Sequence, residues 1–85
     1  MDASAVENLV RSAIPDADVR AVDLRGSGDH FELTVVAEAF TGLSMVEQHR
    51  MVYAALGDAM QAAIHAVVLK TMTPDQYRQG LVRNL

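Results

Sequence analysis

Three histidines and no cysteine set the chemistry open to this chain. Imidazole titrates near neutrality and, in its neutral form, ligates transition metals through a ring nitrogen. His30 adjoins a short glycine loop, Gly26-Ser27-Gly28-Asp29, and His65 follows Ile64 at the head of a valine-rich run. His49 falls between Met45 and Val52 on an apolar helical stripe and reads as a hydrogen-bonded structural histidine, flanked by Gln48 and Arg50 facing solvent or a partner. The absence of cysteine excludes disulfides, a thiol nucleophile and any cysteine-ligated zinc or iron–sulfur site built by this chain alone. His30 and His65 together would make a metal site open on one side. Two imidazoles are too few ligands to hold an ion, so a partner or cofactor would have to supply the rest.

Other chemistries fare poorly. Ser12, Ser27 and Ser44 lack a G-x-S-x-G context or a paired histidine and carboxylate. The loop at 26–29 lacks the lysine and further glycine of a phosphate-binding loop. Asp16 and Asp18 share a turn and read as solvated. No catalytic residue is assigned, and the chain is expected not to be an enzyme.

Whether His30 and His65 can act together depends on the elements that carry them. Ser4 and Glu7 stand in capping-box spacing before Val6, Leu9, Val10 and Ala13, which predicts a helix over 4–13 that stops before Pro15. Val19–Arg25 reads as a strand, with Val22 and Leu24 on one face and Ala21 and Asp23 on the other. The glycine loop then makes a flexible hairpin connection. Phe31–Ala37 alternates clearly, with Phe31, Leu33, Val35 and Ala37 on one side. Thr41-Gly42 turns the chain, and Ser44 with Glu47 opens a helix whose stripe is Met45, Val52, Leu56, Ala59 and Ala63. Gly57 weakens that helix by roughly 1 kcal/mol, so two helices, about 44–55 and 58–63, are predicted. Ile64–Lys70 is the third strand. Thr73, Pro74 and Gln76 start a last helix that Tyr77 and Leu81 should pin to the core.

The order αββααβα follows, an α+β fold with a three-stranded mixed sheet. Strands one and two form a hairpin. Strands two and three are joined by a helical crossover, which favours parallel pairing. Parallel neighbours start at the same sheet edge, about 4.8 Å apart. His30 and His65 should therefore meet there.

Length and composition fit one domain over residues 1–85. An apolar share of 51% argues against disorder, while aromatics at 5% leave the core to Val, Leu, Ile, Met and Ala. Net charge is −4, and the seven basic residues are scattered. No run approaches a membrane span and the acidic N-terminus lacks signal-peptide features, so a cytoplasmic protein without membrane contact is expected.

The segments G-D-H-F-E-L-T-V-V (28–36), F-T-G-L-S-M-V-E-Q-H-R-M-V-Y-A-A-L (40–56), I-H-A-V-V-L-K-T (64–71) and T-P-D-Q-Y (73–77) resemble the BolA family over essentially the whole chain. The resemblance implies an αββααβα fold similar to the type II KH domain. It also implies a partner of monothiol glutaredoxins that shares a [2Fe–2S] cluster with them, in iron–sulfur trafficking or iron homeostasis. The family's invariant cluster ligand falls on His65. Its second ligand comes from the loop between the first two strands, as Cys or His in different members. Ser27 stands where the cysteine type has its thiol, and His30 matches the histidine type. A glutaredoxin cysteine and glutathione would complete the cluster, with none expected in the isolated chain, itself a monomer or weak homodimer. Arg50 and Lys70 are assigned to partner contact. The alternative role implied is DNA-binding transcriptional regulation through a helix-turn-helix-like or KH-like surface, which would require Arg50, Lys70, Arg78 and Arg83 to gather on one face after folding. Leu56-Gly57-Asp58-Ala59-Met60 supports it weakly, lacking the G-x-x-G of a KH clamp.

Overall fold

Apolar residues alternate at Phe31, Leu33, Val35 and Ala37, and all four are fully buried beneath a helical layer. The computed structural model describes residues 1–83, with side chains to residue 80. In chain order the elements are α1 (Ala3–Ala13), β1 (Asp18–Asp23), β2 (His30–Val36), a 3-10 turn (Glu38–Phe40), α2 (Met45–Leu56), α3 (Ala59–Ala62), β3 (Ala66–Met72) and α4 (Pro74–Arg83). The fold is α+β, in the expected αββααβα order. β2 is the central strand, antiparallel to β1 and parallel to β3. Val6 and Val10 of α1 and Val52 and Leu56 of α2 close over β2, joined by Phe40 and Ile64. Among the described residues, no helix is long and apolar enough to cross a membrane.

The start and end of the crossover follow their local chemistry. Ser44 and Glu47 form both halves of a capping box: Glu47 N donates to Ser44 Oγ at 3.2 Å and Ser44 N to Glu47 Oε1 at 3.0 Å. Gly57 ends α2 with φ of 53°, in a region that side chains disfavour, and so separates α2 from α3. Thr73 and Gln76 repeat the reciprocal cap at the start of α4, at 2.9 and 3.2 Å.

Several expectations shift. The Ser4–Glu7 box does not form, because Asp2 takes the N-cap and accepts from Ala5 N at 2.8 Å. Glu7 instead accepts from Ala21 N at 3.0 Å, satisfying an amide of the edge strand β1. β3 begins two residues later than Ile64, which is buried but lies outside the strand; an apolar run alone does not separate helix end from strand start. The buried face of α2 runs Gln48, Val52, Leu56. Met45 is 54% exposed, and Gln48, placed on the outer face from sequence, is buried with its Nε2 donating to Leu43 O at 3.1 Å. Tyr77 does not reach the core. It lines a cleft on the other side of the sheet with Asp18, Arg20, Thr34 and Val36. Leu81 lies outside the described side chains.

Two leucines separate core from surface within one sheet. Leu33 is fully buried, whereas Leu24, just past β1, is 52% exposed. Leu33→Ala should cost about 2–5 kcal/mol in urea unfolding, and Leu24→Ala about 0.5 kcal/mol or less. Similar losses at both positions would contradict this assignment of faces.

Candidate metal centre

His30 opens β2 and His65 immediately precedes β3. The parallel register sets His30 opposite Ala66, so His65 arrives beside it. The two ring centroids lie 5.1 Å apart, with their planes inclined at 48°. The His30 side chain is 16% exposed, while His65 is exposed, so the pair opens to solvent. Their meeting at one sheet edge was expected from sequence, because parallel strands start at the same edge.

Asp29 makes the contacts that tie the two together. Its backbone carbonyl accepts from His65 N at 2.7 Å and Ala66 N at 3.1 Å. Its carboxylate Oδ1 accepts from the Ser27 hydroxyl and lies 2.8 Å from His30 Nδ1. The Ser27 hydroxyl first, and the His30 ring second, favour the charged form and hold this carboxyl below the usual carboxylate range. In the sequence Asp29 reads only as the last residue of the glycine loop. The available signal was an acceptor adjoining His30 and two residues after a serine hydroxyl.

The loop itself carries hydrogen bonds that its glycines do not announce. Asp23 Oδ1 accepts from Arg25 N at 3.3 Å and Gly26 N at 2.9 Å, and its Oδ2 accepts from Gly28 N at 2.9 Å. An aspartate closing a strand can fold the following turn onto its own side chain. This ends β1 at Asp23, before the expected Arg25. His30 is therefore presented from a hydrogen-bonded turn.

The other candidates lie elsewhere. His49 sits half-buried on α2, with Nε2 buried and without a hydrogen-bond partner among the described residues, contrary to the hydrogen-bonded role expected of it. Lys70 lies on the sheet face away from α2 and is 3.3 Å from Glu32 Oε1. Arg50 is exposed on α2, in the opposite layer, so these two do not share a face. Arg78 stays on its own helix, 3.4 Å from Asp75. The Arg83 side chain is outside those described. Arg50 and Lys70 do not form the shared face that the DNA-binding alternative requires, because α2 and the Glu32–Lys70 pair occupy opposite sides of the sheet.

Chemically, the pair offers two imidazole rings on an accessible edge. Among the described residues, no group of three or more His, Cys, Asp or Glu is arranged to hold an ion, so the pair is an incomplete ligand set.

A family model described as BolA-like protein matches residues 8–76. The human BolA-like protein 1 is 41% identical over 55 residues, 65% of this chain and 40% of its own. A Vibrio cholerae protein named DNA-binding transcriptional regulator BolA is 41% identical over 66 residues, covering 78% of this chain and 61% of its own. The chain thus spans less than two thirds of either relative. The structure of a bolA protein homologue from Coxiella burnetii superposes with TM-score 0.76 at 36% identity, over 92% of this chain and 97% of that one.

The Asp29 contacts carry a pH dependence of definite sign. A depressed carboxyl contributes stability above its unfolded range, and that contribution fades as pH falls through the folded value. Ser27→Ala removes the largest cause, so Asp29 should titrate closer to the ordinary carboxylate range, as read by carboxyl ¹³C NMR. An unchanged titration would exclude the Ser27 hydroxyl as that cause.

Proposed function

The chain belongs to the BolA family, and from the pairing of His30 with His65 we propose that it is a non-catalytic partner of a monothiol glutaredoxin, sharing a [2Fe–2S] cluster in iron–sulfur trafficking or iron homeostasis. The observation that carries this reading is the 5.1 Å approach of the two rings at the open edge of a parallel strand pair. The donor set fits the group. Two imidazoles can replace two thiolates on one iron of such a cluster, which raises its reduction potential. His65 and His30 would ligate the cluster, and a glutaredoxin cysteine with glutathione would supply its other ligands. The bound cluster would supply electron-transfer or transferable iron–sulfur chemistry. This chain's own part is to fix two nitrogen donors in place and leave their outer side open to the partner.

This reading makes distinct predictions for the two histidines. The isolated protein should hold no stable cluster, and a visible iron–sulfur chromophore should form with a monothiol glutaredoxin. His65→Ala should abolish the normal visible spectrum of the complex. His30→Cys should keep the chromophore and lower its potential by on the order of 100 mV, since thiolate donates more charge than imidazole. A tight cluster in the protein alone, or a complex indifferent to His65→Ala, would contradict the reading.

DNA binding is the second reading, favoured by the name of the Vibrio relative. Against it stand the net charge of −4 and the separation of Arg50 from Lys70 across the sheet. A specific basic interface would show affinity falling with salt at a log–log slope near −0.9 per phosphate neutralised. A flat salt response or no binding at low salt is the expected outcome; a steep slope would revive this alternative.

A further inference from the structure

Resting on the proposed cluster site, we infer that Asp29 is its positioning residue, fixing the His30 tautomer so that Nε2 is the atom offered beside His65. An ionised carboxylate can only accept hydrogen bonds. The 2.8 Å approach of Asp29 Oδ1 to His30 Nδ1 therefore places the ring proton on Nδ1. In the neutral ring, Nε2 is then left with its lone pair, as a ligand nitrogen requires. Metal-binding histidines commonly have their second nitrogen tied in this way, which fixes both tautomer and ring orientation.

Asp29 also acts through its main chain. The carbonyl that receives His65 N and Ala66 N at 2.7 and 3.1 Å holds the entry to β3 against the exit of the loop. One residue thus orients the first imidazole through its side chain and places the second through its backbone. The Ser27 hydroxyl, donating to the same Oδ1, holds the carboxylate toward His30. Ser27 thereby has a part in the site without being a ligand.

The side-chain role is separable by substitution. Asp29→Ala removes the acceptor but keeps the backbone carbonyl, so the fold and His65 should remain in place. Asp29→Asn keeps a carbonyl oxygen able to accept from Nδ1–H while removing the charge. The experiment is two-bond ¹H–¹⁵N correlation of the histidine rings in the metal-free chain, at a pH where the rings are neutral. The wild type and Asp29→Asn should show His30 as the Nδ1–H tautomer, and Asp29→Ala should shift it toward Nε2–H, the form free imidazole side chains prefer. His30 found as Nε2–H in the wild type, or a tautomer unmoved by Asp29→Ala, would overturn the inference.

A second readout uses the complex with a monothiol glutaredoxin. Asp29→Ala should weaken its chromophore several-fold and Asp29→Asn should restore it. A wild-type spectrum in Asp29→Ala would also overturn the inference. Failure of the wild-type complex to form any chromophore would instead overturn the proposed function, while the tautomer measurement would still decide whether Asp29 orients the ring.

Discussion

The parallel pairing of β2 with β3 is the constraint on which the rest of the molecule depends. Parallel strands cannot be joined by a tight turn, so the chain must leave the sheet edge after β2 and return to the starting edge before β3. The 3-10 turn, α2 and α3 make that return, and their apolar residues Phe40, Val52 and Leu56 close the core as they do so. The register then leaves no freedom at the edge. With His30 opposite Ala66, the residue preceding Ala66 must lie beside the loop that precedes His30. The Asp29 carbonyl fastens that junction by accepting the amides of His65 and Ala66 at the entry to β3.

The same arrangement divides the sheet into two working faces. Phe31, Leu33 and Val35 are committed to the helices, while Glu32, Thr34 and Val36 alternate onto the other side. There Lys70 meets Glu32, and Tyr77 of α4 lines a cleft with Asp18, Arg20, Thr34 and Val36. The histidine pair stands at the end of this sheet, where strand amides give way to loop. Loops set on a rigid frame are where ligand groups commonly gather. Here the frame is two strands, and the loop is folded by the Asp23 carboxylate.

Much of this was legible from residues. The alternation from Phe31 to Ala37, the Ser44–Glu47 and Thr73–Gln76 caps and the break at Gly57 are local signals whose partners lie within four residues. Strand direction followed from the length of the crossover, and with it the meeting of His30 and His65. Less legible was whatever depended on distant partners. Asp2 takes the cap in place of Ser4, and Glu7 accepts from Ala21 of the edge strand, fourteen residues away. Gln48 is buried and Met45 exposed because the face α2 presents is set by the sheet and α1 beneath it, which lie far off in sequence. The Asp29 contacts were hidden because their meaning requires knowing that β3 starts alongside the loop.

The central proposal is that His30 and His65 both ligate the shared cluster, and it is tested most directly by hyperfine spectroscopy on the reduced cluster. With the chain labelled with ¹⁵N-histidine and the glutaredoxin unlabelled, pulsed electron–nuclear double resonance counts the nitrogens bound to iron. Two distinct ¹⁵N couplings are predicted, one lost in His30→Cys and the other in His65→Ala wherever a residual cluster persists. A single coupling, or none, would contradict the account.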